Sequence, residues 1–244
     1  MNTKAHACRL RLLGFWSLDV GPQRVHIGSR EQRVLALVAL RGPQMRGSFA
    51  GTLWPDSTEA RARANLRTSL KRLRAIHERL VSTESDSLVF GCPVSVDVWE
   101  LFDCMERVER LHRADELDLP DVLATLDGPA LLPGWFDDWV LEERERVHHR
   151  RIRALERIAS HLLDEGNPTS AATFAEAALS HEPLLESAAS LVIRAHLVSS
   201  NHSAAVQVYR QFRDVLSTEL GIRPSRALTE IVLGATGPTG TRPS

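Results

Sequence analysis

Cysteine is scarce in this chain of 244 residues: Cys8, Cys92 and Cys104, odd in number and far apart in the sequence. No CxxC spacing occurs, so neither a zinc site nor a disulfide framework is indicated, and reduced cytosolic thiols are the simple reading. Long apolar runs are missing too. Nothing approaches the ~18 apolar residues of a membrane span, and the N-terminus has no apolar core of signal-peptide length. A cytoplasmic protein without membrane association is therefore expected.

The loops and motifs of common catalysts are also absent. There is no glycine-rich phosphate loop of P-loop or dinucleotide form, no HExxH and no G-x-S-x-G elbow. His148-His149 falls in a stretch of helical pattern, where neighbouring residues face different sides, so a shared metal is not expected. The pairs Asp137-Asp138 and Glu142-Glu143 suit a helix start, where carboxylates complement the dipole. The sequence reads as a non-enzyme with no cofactor and no metal.

What is present is a soluble globular composition, 43% hydrophobic and 25% charged, enough to bury one large or two ordinary domains. The net charge of −1 hides a strong asymmetry. Residues 1–80 carry 15 Lys/Arg against 5 Asp/Glu, whereas residues 101–244 carry 15 against 22. A basic N-terminal part and an acidic C-terminal part point to two domains, the first meeting a polyanion.

The basic part centres on residues 56–80. Trp54-Pro55 stops the preceding element, and Asp56 and Glu59 are spaced as a helix cap and its reciprocal partner. Leu66, Leu70, Leu73, His77 and Leu80 recur at helical spacing and form one apolar stripe. The opposite face carries Arg61, Ala64, Thr68, Lys71, Arg72 and Ala75, with Asn65 and Arg67 at its shoulders. Arg61, Arg63, Arg67, Lys71, Arg72, Arg74 and Arg79 face only Glu59 and Glu78. A helix that keeps this much like-charge repulsion suggests an anionic partner, because solvated faces usually mix signs.

Ahead of it, short strands are expected over residues 7–28. A Ser29-to-Gln32 capping box then opens a helix that Gly42-Pro43 ends, and a second, glycine-loosened helix runs from about Ser48 to Trp54. After it, a hairpin turns at Ser85-Asp86-Ser87, and Val94 and Val96 allow a further strand. That order is a winged helix, with the third helix entering the major groove. Asp97 caps a further helix, and an acidic, proline-containing connector spans Ala114 to Pro133 with a short helix at Val122–Leu126. The helices Asp138–Glu165, Pro168–His181, Leu184–Ser199, His202–Leu220 and Ser225–Leu233 follow. Asn167 and Asn201 are 34 apart, and at that offset Ala171 matches Ala205, Ala175 matches Tyr209 and Ala178 matches Phe212. This is the tetratricopeptide period.

GTLWPDSTEARARANLRTSLKRLR, VSVDVWELF, LLPGWFDDWVLEERERV and ELGIRPSRAL together resemble the antibiotic-regulatory activators of actinomycetes, across about residues 7–233. The resemblance implies a mainly α protein: an OmpR-type winged helix at 1–96, a bacterial transcriptional activator domain of tetratricopeptide-like helices at 97–233, and a disordered tail at 234–244. It implies a sequence-specific activator that binds direct repeats in double-stranded promoter DNA as a dimer or higher oligomer, recruits RNA polymerase and serves a secondary-metabolite cluster. By position, Asn65, Arg67, Thr68, Lys71 and Arg72 would touch bases and nearby phosphates, Arg61, Arg63 and Arg74 flanking phosphates, and Trp54 the backbone. Gly47 and Gly51 depart from the family pattern in the second helix. With no receiver segment ahead of the winged helix and no ATPase or sensor module behind, no phosphorylation input is expected. Two other readings remain at this point: an interaction adaptor with a degenerate winged helix, and a regulator sensing a small molecule among Trp135, Phe136 and Trp139.

Overall fold

The computed structural model describes residues 8–111 and 117–236. They form two compact units, and the chain passes from one to the other more than once. The first runs to Phe102 and includes Gly128–Val147; the second comprises Asp103–Asp127 and the residues from His148 on. This division differs from a single cut after residue 96.

In the first unit, β1 (Cys8–Arg11), β2 (Ser17–Val20) and β3 (Gln23–Val25) form an antiparallel meander, and β7 (Val94–Val96) adds in parallel to β1. Three helices follow the meander: α1 (Ser29–Arg41), α2 (Arg46–Leu53) and α3 (Glu59–Ile76). Between them β4 (Gln44–Met45), which the sequence did not suggest, joins the hairpin of β5 (Val81–Glu84) and β6 (Ser87–Phe90) in a second sheet of order β4-β6-β5. The hairpin turn is where it was expected: Ser85 and Asp86 both take positive φ, 47° and 67°, as a two-residue turn matched to strand twist requires.

Three expected details are corrected. Gly28, not Ser29, is the N-cap of α1, and the Gln32 amide donates to Ile27 O at 3.0 Å instead of closing a capping box. Thr58, with no side-chain cap bond, precedes α3, and Glu59 turns forward to Arg63 at 2.6 Å, so Asp56 and Glu59 are not reciprocal caps. α3 also ends one turn early. His77 is its C-cap, with extended backbone, rather than the next member of the stripe.

The unit is fastened by side chains that reach far along the chain. The carboxylate of Asp97, first residue of α4 (Asp97–Glu109), accepts the N–H groups of Leu12, Leu13 and Val98 at 2.8–3.0 Å. Leu132 N donates to Leu12 O, and the Arg144 guanidinium donates to the carbonyls of Leu131, Leu132 and Trp135. Arg41 reaches Glu142 at 2.8 Å and Glu143 at 2.6 Å, and Glu143 is buried. That burial is tolerable because Arg146 lies on the other Glu143 oxygen.

The second unit is helical. α5 (Leu119–Leu126) begins earlier than expected because Asp118 caps it. α6 (Asp138–Asp164) begins in the first unit; α7 (Pro168–His181), α8 (Glu186–Val198), α9 (His202–Leu220) and α10 (Arg226–Thr236) complete the array. α7 and α9 have the expected limits. The two asparagines 34 apart do the same job: Asn167 Oδ1 accepts from Ser170 N at 3.2 Å and Asn201 Oδ1 from Ala204 N at 3.3 Å. Ala171 and Ala205 are both fully buried, letting the helices approach closely. Residues 234–236, expected in the tail, continue α10; the rest of that tail lies outside the described residues, as does the start of the connector at Ala114. No helix among the described residues is long and apolar enough to cross a membrane.

Candidate nucleic-acid interface

α3 packs through Ala62, Leu66, Ser69, Leu70 and Leu73, all buried. Burying the three leucines at roughly 1.5–3 kcal/mol each fixes the rotation of the helix, so its other face is determined by what it hides. Arg61, Arg63, Arg67, Thr68, Lys71, Arg72, Arg74 and Ala75 are exposed, and Ala64 and Asn65 are half-buried at the shoulder. Each α3 side chain named from the sequence thus lies on or beside one continuous outer surface.

Their electrostatic states differ. Among the described residues, Arg61, Arg67, Lys71 and Arg74 have no acidic partner, whereas Arg63 is held by Glu59 at 2.6 Å. Arg72 also departs from the expectation that only Glu59 and Glu78 oppose the cations. Its Nη1 lies 3.5 Å from Glu31 Oε1, a carboxylate on α1 that is only 4% exposed. The partner is invisible to a helical-face argument because it comes from a neighbouring helix. The Thr68 hydroxyl donates to Ala64 O at 3.0 Å, leaving its methyl and its oxygen lone pairs for an outside contact.

Arg46, absent from the sequence-based set, belongs with these residues. It opens α2, and its backbone N–H donates to Asp86 O at the hairpin tip. Arg46, Arg63 and Arg67 converge, with Gly47, Leu66 and Asp86, around a cavity of about 200 Å3. A Cβ at Gly47 would stand 3.3 Å from the Arg63 guanidinium, so the chain passes close beside it. Starting the second helix at Ser48 left Arg46 in a loop; its place directly before Gly47 was the available signal. α2 forms despite its glycines because Phe49, Ala50 and Leu53 are buried. Trp54 is its C-cap and is half-buried, so part of the indole remains accessible.

Trp135, Phe136 and Trp139 differ in exposure, and Trp135 is half-buried. Trp139 is in the core, while Phe136 is 79% exposed. In the helical unit, Arg153, Glu156, Arg157, His161, Ser190 and Arg194 line an open groove of about 930 Å3.

Residues 96–232 match the bacterial transcriptional activator domain family. The chain belongs to this family. As a bacterial transcriptional activator domain protein it is 28% identical over 240 residues to the regulatory protein AfsR of Streptomyces griseus, a match covering 93% of this chain and 24% of that protein. With AfsR of Streptomyces coelicolor it shares 29% over 218 residues, 84% of this chain and 22% of the relative. The chain therefore spans about a quarter of the length of the curated relatives it matches. Among solved structures, Mycobacterium tuberculosis EmbR, in complex with a low-affinity phosphopeptide, matches with a TM-score of 0.70 at 18% identity, covering 93% of this chain and 64% of that one. That likeness is one of fold: a small N-terminal β-containing region with a winged helix, followed by tetratricopeptide-like helices.

Proposed function

We propose that this transcriptional activator binds double-stranded promoter DNA sequence-specifically, with α3 in the major groove. One observation carries the reading: four cations of α3 without acidic partners, Arg61, Arg67, Lys71 and Arg74, share an outer surface with Asn65 and Thr68. Phosphate neutralisation supplies affinity, and base edges supply choice. Arg67, Lys71 and Asn65 read bases, at ~1–3 kcal/mol of discrimination for each good bidentate pair. Thr68 meets a thymine methyl. Arg72, steadied by Glu31, serves the groove edge. Arg46 and Arg63, beside Arg67, seat a backbone phosphate at their shared cavity, with Arg61, Arg74 and Trp54 on flanking backbone. Residues 1–96 act as the DNA-binding part and 97–233 as the activator part. The protein works as a dimer or higher oligomer on direct repeats, contacts RNA polymerase and switches on a secondary-metabolite cluster. The regulatory relatives from Streptomyces support a role in regulation.

Anisotropy titrations against promoter fragments from the protein's own gene neighbourhood, repeated at several salt concentrations, test this. The expected result is a site bound at least ~10³-fold tighter than random DNA. An Arg67→Ala, Lys71→Ala double variant should lose that preference. Arg61→Ala should lower affinity evenly and flatten the salt slope by about one unit. If the double variant still discriminates as the wild type does, α3 is not the reading helix. Absence of salt-dependent binding altogether would favour the adaptor, acting through the groove of the helical unit.

A further inference from the structure

The three residues whose sequence spacing argued against a metal include two that the fold brings side by side. Cys8 and Cys92 are 84 positions apart, yet their sulfurs are 3.8 Å apart, and no disulfide joins them. His77 joins them: one ring nitrogen and the two Sγ atoms all lie within 4.8 Å of one another. We propose that Cys8, His77 and Cys92 form a binding site for one thiophilic divalent cation, zinc by its ligand chemistry, at the C-terminal end of α3.

The spacing of the two sulfurs fits that ion. With Zn–S of ~2.3 Å, two thiolates on one tetrahedral zinc stand ~3.8 Å apart, which is the spacing found. A disulfide would need ~2.0 Å between the same sulfurs. An independent sign comes from the imidazole. His77 Nδ1 is buried and has no hydrogen-bond partner among the described residues, an arrangement that buried polar atoms rarely keep. Cys8 is fully buried, and burial alone disfavours a thiolate. A cation between two sulfurs reverses that preference by stabilising thiolate. Three protein ligands leave the fourth position to water.

The backbone builds this cluster from three segments. Cys8 opens β1, and its N–H donates to Pro93 O at 3.3 Å beside Cys92. His77 leaves α3 with extended backbone, and the turn after it is closed by Leu80 N donating to His77 O at 3.0 Å. Gly91 brings the next segment in: a Cβ there would stand 2.7 Å from Arg79 O and 2.8 Å from Ser82 Oγ. Only glycine lets the residue before Cys92 approach the turn after His77 so closely.

The test uses the full chain purified without chelator. Elemental analysis should find about one zinc per chain, and Co2+ in its place should give the strong visible absorption of a four-coordinate site with a thiolate charge-transfer band. Chelation should lower the melting temperature, since a ligand bound only by the folded state stabilises it. Cys8→Ser, Cys92→Ser and His77→Gln should each lose the metal, while Cys104→Ala, outside the cluster, should keep it. Because the first three could misfold, the wild-type cobalt spectrum and thiol count decide independently. No bound zinc together with a weak, six-coordinate cobalt spectrum overturns the proposal. So do two thiols that react only after reduction, whatever the metal content, which would make Cys8 and Cys92 a disulfide.

Discussion

Asp97 and Asn201 use the same chemistry for opposite purposes. Each offers a side-chain oxygen to backbone N–H groups near a helix start. Asn201 accepts from Ala204, three residues on, and so closes its own turn. Asp97 accepts from Leu12 and Leu13, 85 and 84 residues back, as well as from Val98. The contrast is one of degree between the two units. The winged-helix unit is fastened by long-range polar ties such as Arg41 to Glu143, whereas the helical unit starts α7 and α9 with local asparagine caps and packs at alanine seams, with fewer such ties, among them Arg157 to Val108 O. A local cap orders a turn that would form anyway. A long-range tie decides which segments meet.

Asp97→Ala against Asn201→Ala tests this difference most severely. Loss of the local cap should cost about 1 kcal/mol. Loss of Asp97 leaves two distant N–H groups without their acceptor, at ~1–3 kcal/mol for each that stays buried, so roughly 2–4 kcal/mol is expected. Denaturant unfolding of both variants measures the gap; equal costs would erase the distinction.

Acid should weaken the helical unit through His181. Burial first, and then the Arg151 charge, lower its pKa below 6.5, with His148 adding to the shift and Asp127 opposing it. The unfolded chain then takes up the proton first, so stability falls as pH drops through about 6.5 and levels off only below the folded value. Thermal unfolding from about pH 7.5 to about pH 5.5 should show this decline, and His181→Gln should flatten it. A decline unchanged in the variant would move the acid response elsewhere.

The smallest effect expected is a gain. Gly166 and Ser200 occupy equivalent turn positions, with φ of 76° and 57°. Serine is strained there, so Ser200→Gly should stabilise by about 0.5–1 kcal/mol, read as a higher unfolding midpoint. A loss instead would mean that the second turn relies on its serine.

Much of the helical unit was legible because its punctuation is local. Asn167-Pro168 and Asn201 announce the starts of α7 and α9 where they occur, and the offset of 34 could be counted. α3 was legible in its face but not at its ends. Asp56 and Glu59 imitate a capping pair, and His77 continues the apolar period one step beyond the helix. Its outer surface was found, yet Glu31 behind Arg72 was not, since no periodicity within α3 points to a carboxylate on α1. Cys8, His77 and Cys92 were hidden for a related reason. Cys8 and Cys92 meet through the parallel pairing of β1 with β7, which leaves no turn between them in the sequence, and His77 joins from the end of α3.

The two turns of the repeat also correspond bond for bond. Asn167 N donates to Leu162 O and Asn201 N to His196 O, both at 2.8 Å, and Gly166 N to Leu163 O is echoed by Ser200 N to Leu197 O. Such a joint is a splice point. A further 34-residue copy set between residues 200 and 201 would meet on each side the same donors and acceptors that are already there. Duplication could thus lengthen this array in whole steps without redesigning any seam, which makes its size the most easily inherited variable of the molecule.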